Sequence, residues 1–304
     1  MPDTVTITID GVKVDAAADA TILEAAAEQG TEVPTLCYLE TLSAANACRL
    51  CVVEVEGARV LAPGCSRQVA EGMVVNTRSE RVDRARRMVL ELLVSSVDLS
   101  LAPELLELAE EYGAEPERFG DTAAIVELPV KADNGLYVQD LSKCVLCYRC
   151  VSACGDDAQH TYAISVTDRG FGAAISTEFD VALPESACVF CGNCVAVCPT
   201  GALIVTTEYD MRQAGTWDEE LQSVTRTICA YCGVGCNLDV HVQEGEIVKV
   251  TSPFDHDVTE GNLCIKGRFG WTHVSGPAPV ASPSGGGAER QRGGGGQTDV
   301  ATAA

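Results

Sequence analysis

Sixteen cysteines divide into four sets of four, with none left over. Cys37, Cys48, Cys51 and Cys65 are spaced C-x10-C-x2-C-x13-C. Cys144, Cys147, Cys150 and Cys154 are spaced C-x2-C-x2-C-x3-C, and Cys188, Cys191, Cys194 and Cys198 repeat that run. Cys229, Cys232, Cys236 and Cys264 follow C-x2-C-x3-C-x27-C. Thiolates in fours hold iron–sulfur clusters or zinc, so such a chain has to fold around bound metal. The sets mark out modules of about 60 to 80 residues, too small for comfortable stability on apolar burial alone. Metal binding makes up the difference, because in such sites the binding free energy is folding free energy. The metal-free chain is therefore expected to be poorly folded.

The chain has 304 residues, room for two or three ordinary domains. Its start, MPDTVTITID, has neither a basic nor an apolar signal region, and no long apolar run suggests a membrane span. The expectation is a cytoplasmic protein, in a compartment that keeps thiols reduced, which argues against disulfides. The formal charge of −23 argues against nucleic acid and against anionic membrane surfaces as partners. No GxGxxG or GxxxxGK loop offers a nucleotide site, and no catalytic residue is assigned. His160, His241, His256 and His273 fit none of the cysteine patterns and read as ordinary surface or turn histidines.

Along the chain, TVTITI (4–9), the turn Asp10-Gly11 and VKVDA predict a hairpin. Thr21 and Glu24 have capping-box spacing, opening a helix that ends at Gly30. With the later strand CVVEVEG this pattern reads as a β-grasp domain over 1–78. A helical spacer, 79–135, follows. Its first helix carries an apolar stripe of Val82, Ala85, Met88, Val89, Leu92 and Leu93, and its Arg/Glu-rich stretch 78–91 reads as a solvated face. Its second helix runs from Pro103 to Gly113, and 114–135 reads as a loop with one short strand. Residues 136–210 contain two copies of a strand, cysteine run, helix and strand. Residues 206–224 read as a linker, the domain boundaries placing it at 211–224. Residues 225–276 carry two cysteine turns and two strands joined at Glu244-Gly245, and 277–304 reads as a disordered Gly-rich tail.

The twin runs are the most specific signal. Three thiolates at i, i+3 and i+6 surround one iron–sulfur cube, while the fourth reaches the other cube from the following helix. That assigns Cys144, Cys147, Cys150 and Cys198 to one [4Fe–4S] cluster and Cys188, Cys191, Cys194 and Cys154 to a second. Pro199 follows Cys198 as this pattern expects, whereas Gly155 stands in that place after Cys154. The module resembles a bacterial two-cluster ferredoxin. The first set, in its β-grasp setting, fits a [2Fe–2S] cluster, with structural zinc as the rival. The last set is, on spacing alone, open to a zinc-ribbon reading.

"PTLCYLE" and "ACRLCVVEVEG" make the first domain similar to the N-terminal domain of the large iron–sulfur subunit of respiratory complex I, also found in NAD-dependent formate dehydrogenases and some hydrogenases. The segment "TICAYCGVGCNLDVHVQEGEIVKVTSPFDHDVTEGNLCIKGRFG" resembles the opening of molybdopterin oxidoreductases, in particular formate dehydrogenase catalytic subunits. This resemblance implies a [4Fe–4S] cluster on Cys229, Cys232, Cys236 and Cys264, with Lys266 assisting electron passage towards a pterin. Family members usually also carry a cluster held by one histidine and three cysteines after the first spacer helix. Residues 80–143 contain neither residue type, so that cluster is expected to be absent. The pterin-binding body would begin beyond the last module and is expected on a partner chain. Taken together, the expectation is an α+β, multi-module protein with one [2Fe–2S] and three [4Fe–4S] clusters. It would relay electrons between a molybdopterin catalytic subunit and a flavin-containing, NAD-linked diaphorase subunit. A complex I large-subunit relative and a non-redox zinc scaffold are the alternatives.

Overall fold

The structure, a computed structural model, describes residues 4–273. The expected disordered tail lies outside those residues. Strands β1 (Thr4–Ile9) and β2 (Val12–Ala17) form the expected antiparallel hairpin, turning at Asp10 and Gly11, both at positive φ. Helix α1 (Ile22–Glu28) opens on the predicted capping box. The Thr21 hydroxyl accepts from Glu24 N at 3.2 Å and the Glu24 carboxylate accepts from Thr21 N at 2.7 Å. Strands β3 (Val52–Val55), β4 (Ala62–Pro63) and β5 (Val74–Asn76) complete a five-stranded sheet of order β2-β1-β5-β3-β4, in which β1 and β5 run parallel. Ile22, Leu23, Ala25 and Ala26 of α1 close over Ile7, Ile9, Val53 and Val75, and Cys51 and Cys65 lie in the same core.

Helices α2 (Glu80–Ser96) and α3 (Pro103–Glu111) pack against this module through Leu90, Leu105, Ala109 and Tyr112, which enclose Leu36 and Leu50. The solvated-face reading of 78–91 is corrected at two positions. Arg86 and Glu91 are each only 1% exposed, whereas Leu92 of the expected apolar stripe is 50% exposed. The helix turns so that Arg86 reaches three buried oxygens: Leu50 O (3.0 Å), Val52 O (2.9 Å) and Tyr112 Oη (2.8 Å). Glu91 accepts from Arg118 at 2.9 Å. Periodicity measures apolar content and is blind to a buried guanidinium that meets its own acceptors. The short strand expected within 114–135 reduces to 3-10 turns over Pro116–Thr122 and a single bridge between Lys131 and Gln139.

The repeat module follows, built from β6 (Tyr137–Gln139), α4 (Arg149–Cys154), β7 (Ser165–Thr167), β8 (Ala174–Ser176), α5 (Asn193–Ala196) and β9 (Leu203–Val205). β6 pairs antiparallel with β9 and β7 with β8. The strand expected to head the second copy is replaced by 3-10 turns at Glu178–Asp180 and Leu183–Glu185, where Pro184 removes a ladder donor.

The linker reading of 206–224 is also corrected. Helix α6 (Thr206–Ala214) continues directly from β9 and stops at Gly215 in the left-handed conformation. Strands β10 (Gln222–Ile228), β11 (Asn237–Gln243) and β12 (Glu246–Thr251) then form a three-stranded antiparallel sheet, one strand more than expected. The β11–β12 turn falls at Glu244-Gly245 as predicted. Glu208 of α6 explains why the segment is ordered: it accepts from Arg212 (2.8 Å) and from Lys249 of β12 (2.8 Å), and the Trp217 ring lies against both cations. Helix α7 (Ile265–Phe269) follows Cys264 and inserts Phe269 into the repeat module's core. Among the described residues no helix is long and apolar enough to cross a membrane.

Replacing Arg86 with Met should lower the unfolding free energy by about 3 kcal/mol, because two backbone carbonyls and a phenol lose a charged donor in a dry site. Urea denaturation of the metal-loaded protein checks this, with Arg84→Met on the exposed face as the control expected to change by less than about 0.5 kcal/mol.

Candidate metal centres

The first and last cysteine sets each gather in one place, while the two runs of the repeat module exchange their fourth cysteines. In the first, Cys37, Cys51 and Cys65 are buried and Cys48 is half-buried. The thiols stand as two pairs. Cys51 Sγ lies 3.3 Å from Cys65 Sγ, and Cys48 bonds Cys37 through its thiol and also through its backbone N–H at 3.5 Å. The hydrogen bond within each pair is the main cause that holds Cys37 and Cys51 below the usual thiol range and pushes Cys48 and Cys65 up. A [2Fe–2S] cluster takes two thiolates on each iron, and a pair of pairs is the donor arrangement it needs.

The repeat module treats its two runs alike. Leu146 and Tyr148 in the first run, and Phe190 and Gly192 in the second, occupy matching positions with φ between +51° and +71°. These left-handed turns point amides at sulfur. Leu146 N donates to Cys144 Sγ and Phe190 N to Cys188 Sγ, both at 3.4 Å. Holding leucine, tyrosine and phenylalanine in this region costs on the order of 1–2 kcal/mol each, which the packing around the site has to offset. Helices α4 and α5 lie against each other and carry the fourth cysteines across. One cavity is lined jointly by Cys144, Cys147, Cys150 and Cys198. Cys154 lies where its charge is felt by Cys191 and Cys194, alongside that of Cys188. Burial pushes Cys147 up to about 11 and also raises Cys150 and Cys194. Ligation requires thiolates, so these thiols would release protons on loading.

Neighbouring polar groups close around two sulfurs of the second of these sites, Cys188 and Cys154. Tyr137 Oη is 3.3 Å from Cys188 Sγ, Thr161 Oγ1 is 3.4 Å from Cys154 Sγ, and Ala163 N donates to Cys154 Sγ at 3.2 Å. None of these residues is singled out by the sequence, because each reaches its sulfur only through the fold. The fourth set is the most open: Cys229 is buried, Cys236 half-buried, and Cys232 and Cys264 exposed. Cys229 N donates to Cys236 O at 2.7 Å, and Cys236 is raised by burial and then by the neighbouring charges of Cys229, Cys232 and Cys264. Among the described residues no three Cys, His, Asp or Glu side chains close on a single ion-sized point. Cluster ligands are distributed over two or four irons and need no such point.

Residues 2–80 match a 2Fe-2S iron-sulfur cluster binding domain, residues 137–202 a 4Fe-4S dicluster domain, and residues 222–276 the molybdopterin oxidoreductase Fe4S4 domain. Curated relatives match more than nine-tenths of this length within one chain. An NADH-quinone oxidoreductase subunit of Rhizobium meliloti is 33% identical over 91% of the chain, and the alpha subunit of an NADPH-Fe(3+) oxidoreductase of Geobacter sulfurreducens is 35% identical over 92%. A putative formate dehydrogenase of Staphylococcus haemolyticus is 26% identical over 93%. The chain carries iron–sulfur domains that it shares with these oxidoreductases. It spans about a third of the length of these relatives, 32% in each case. Among solved structures, the crystal structure of an NAD+-reducing [NiFe]-hydrogenase in the H2-reduced state aligns with a TM-score of 0.59 and 27% identity. That alignment covers 66% of this chain and 87% of the hydrogenase chain.

Within this iron–sulfur frame, Lys266 lies on α7 two residues after Cys264 with its side chain exposed. The described histidines stay outside the cysteine sites. His241 Nε2 bonds Thr251 Oγ1 at 3.0 Å and is held below its usual range by burial and then by Lys249, and His256 Nδ1 accepts from Val258 N at 3.2 Å. The His273 side chain is outside the described residues. Cys198→Ser is expected to damage the centre at Cys144, Cys147 and Cys150 and to spare the one at Cys188. Electron paramagnetic resonance of the reduced protein checks this, and a loss confined to the Cys188 centre would refute the crossed arrangement.

Proposed function

We propose that the chain relays single electrons through one [2Fe–2S] and three [4Fe–4S] centres, between a molybdopterin catalytic site and an NAD-linked, flavin-containing diaphorase partner. The ligand sets are Cys37, Cys48, Cys51 and Cys65; Cys144, Cys147, Cys150 and Cys198; Cys188, Cys191, Cys194 and Cys154; and Cys229, Cys232, Cys236 and Cys264. The cavity shared by Cys144, Cys147, Cys150 and Cys198 is the observation that carries this reading, since only a crossed two-cluster ferredoxin needs those four together. The modules follow as a β-grasp domain at 1–78, a helical spacer at 79–135, a two-cluster ferredoxin domain at 136–210 and a pterin-side domain at 225–276. Bound clusters would supply reversible one-electron storage. The chain's residues do the rest: they bury the sulfurs, aim amides at them and set the order of the sites. Lys266 would assist passage towards the pterin.

A second reading places the chain beside the complex I large iron–sulfur subunit. The NADH-quinone oxidoreductase relative from Rhizobium meliloti supports it, at 33% identity. The two readings differ in partner and share the relay.

Anaerobic reconstitution should load about fourteen irons per chain with matching sulfide, and give spectra of both cluster types. Zinc at full occupancy in a colourless, folded protein would instead make the chain a scaffold and end the relay reading.

A further inference from the structure

Arg268 stands out among the charged groups of the molecule. It is 2% exposed, and it bridges two modules rather than facing solvent. Its Nε donates to Cys191 O at 3.0 Å, and its Nη2 donates to Asn193 Oδ1 at 3.1 Å and to Gly261 O at 3.2 Å. All three acceptors are neutral. Burial brings its pKa down to about 10, still cationic at neutral pH, and the opposing charges that favour its cationic form are those of Cys191, Cys194 and Cys264, which belong to two different metal sites. Its backbone N–H donates to Cys264 O at 3.1 Å. One residue therefore makes a continuous path of bonds from the carbonyl of Cys264 to the carbonyl of Cys191.

The surroundings are shaped for this side chain. Gly192 holds φ +71°, and a Cβ there would meet Arg268 Cδ at 2.4 Å, so the loop between Cys191 and Asn193 leaves room for the arginine stem. Asn193 Oδ1 also accepts from Leu263 N at 2.9 Å, tying the residue before Cys264 to the same loop. Phe269 stacks on Tyr137 with ring centroids 6.4 Å apart, and Tyr137 Oη touches Cys188 Sγ. Helix α7 thus clamps the fourth site onto the second run of the repeat module.

We propose that Arg268 is the positioning residue that joins the Cys188–Cys191–Cys194–Cys154 centre to the Cys229–Cys232–Cys236–Cys264 centre. It fixes their separation through its hydrogen bonds, and its buried charge raises the reduction potentials of both. The inference rests on the relay reading above and adds a residue that the family resemblance does not assign. A cation in a dry site stabilises whichever neighbouring centre has gained an electron, and the stabilisation is large because little solvent screens it. When one centre is oxidised and the other reduced, a single electron changes place and no proton moves. Arg268 keeps its charge throughout.

Redox titration followed by electron paramagnetic resonance, on the full reconstituted chain, tests this with R268Q and R268K. R268Q keeps a hydrogen-bond donor and removes the charge. It should lower the midpoint potentials of the two flanking centres and leave the [2Fe–2S] centre unchanged, while R268K should stay close to wild type. Unchanged potentials in iron-loaded R268Q would overturn the proposal, as would R268K shifting as far as R268Q. If R268Q does not hold its iron, R268K decides: full loading with unshifted potentials supports the charge role, and loss of iron from both variants assigns Arg268 to folding alone. Wild-type protein that takes up no iron would instead refute the relay reading, so the two failures are distinct.

Discussion

Each run of the repeat module turns into a short helix whose far end delivers a fourth cysteine beside the opposite run, and this obliges α4 and α5 to lie side by side. The rest of the molecule is arranged around that contact. Ala153 and Val197, each next to a crossing cysteine, are buried with Leu42 from the first module, which seats the cysteine-bearing loop of that module on the helix pair. The joint is polar at its rim, where Ser43 donates to Asp157 through N (2.9 Å) and Oγ (2.7 Å) and Arg149 donates to Tyr38 O. Tyr38 follows Cys37 and Arg149 precedes Cys150, so the first and second sites meet through residues adjacent to their cysteines. A centre built from distant segments thereby sets where its neighbours can dock.

Charge is the second constraint. The chain is strongly acidic, and four thiolate-rich centres would add more negative charge in low-dielectric surroundings. Backbone amides aimed at sulfur offset part of this, which is what the left-handed turns at Leu146 and Phe190 achieve. Arginines do the rest of the joining. Arg86 ties the spacer to the carbonyls either side of Cys51, Arg149 ties the first module to the repeat, and Arg268 ties the repeat to the last module. A planar guanidinium suits this task because it satisfies several carbonyls at fixed angles and stays charged when buried.

Much of the site is legible without any knowledge of the fold. Cysteine gaps report how far the chain travels between sulfurs, and those distances suit only a few metal geometries. The capping box at Thr21, the turn at Asp10-Gly11 and the turn at Glu244-Gly245 are equally readable, since each depends on interactions within a few residues. The misreadings share one cause. Residues 206–224 resemble a linker because their polar side chains are satisfied by Lys249 and Trp217, which are remote or unpatterned in sequence. Arg86 and Glu91 resemble solvated residues because hydropathy counts a buried, fully bonded charge as a surface one.

The amino-acid sequence by itself determined the inventory: four sets of thiols, their spacing, and the order of the modules that hold them. Local chemistry suffices for that, because ligand spacing and turn formation act over short stretches of chain. Only the tertiary structure decided which sulfurs face one another across α4 and α5, that the spacer helix buries a cation against the Cys51 loop, and that α7 locks the last site to the Cys191 loop. Those contacts join residues from about 35 to nearly 80 positions apart, and they form only once burial has made each unpartnered carbonyl and charge costly.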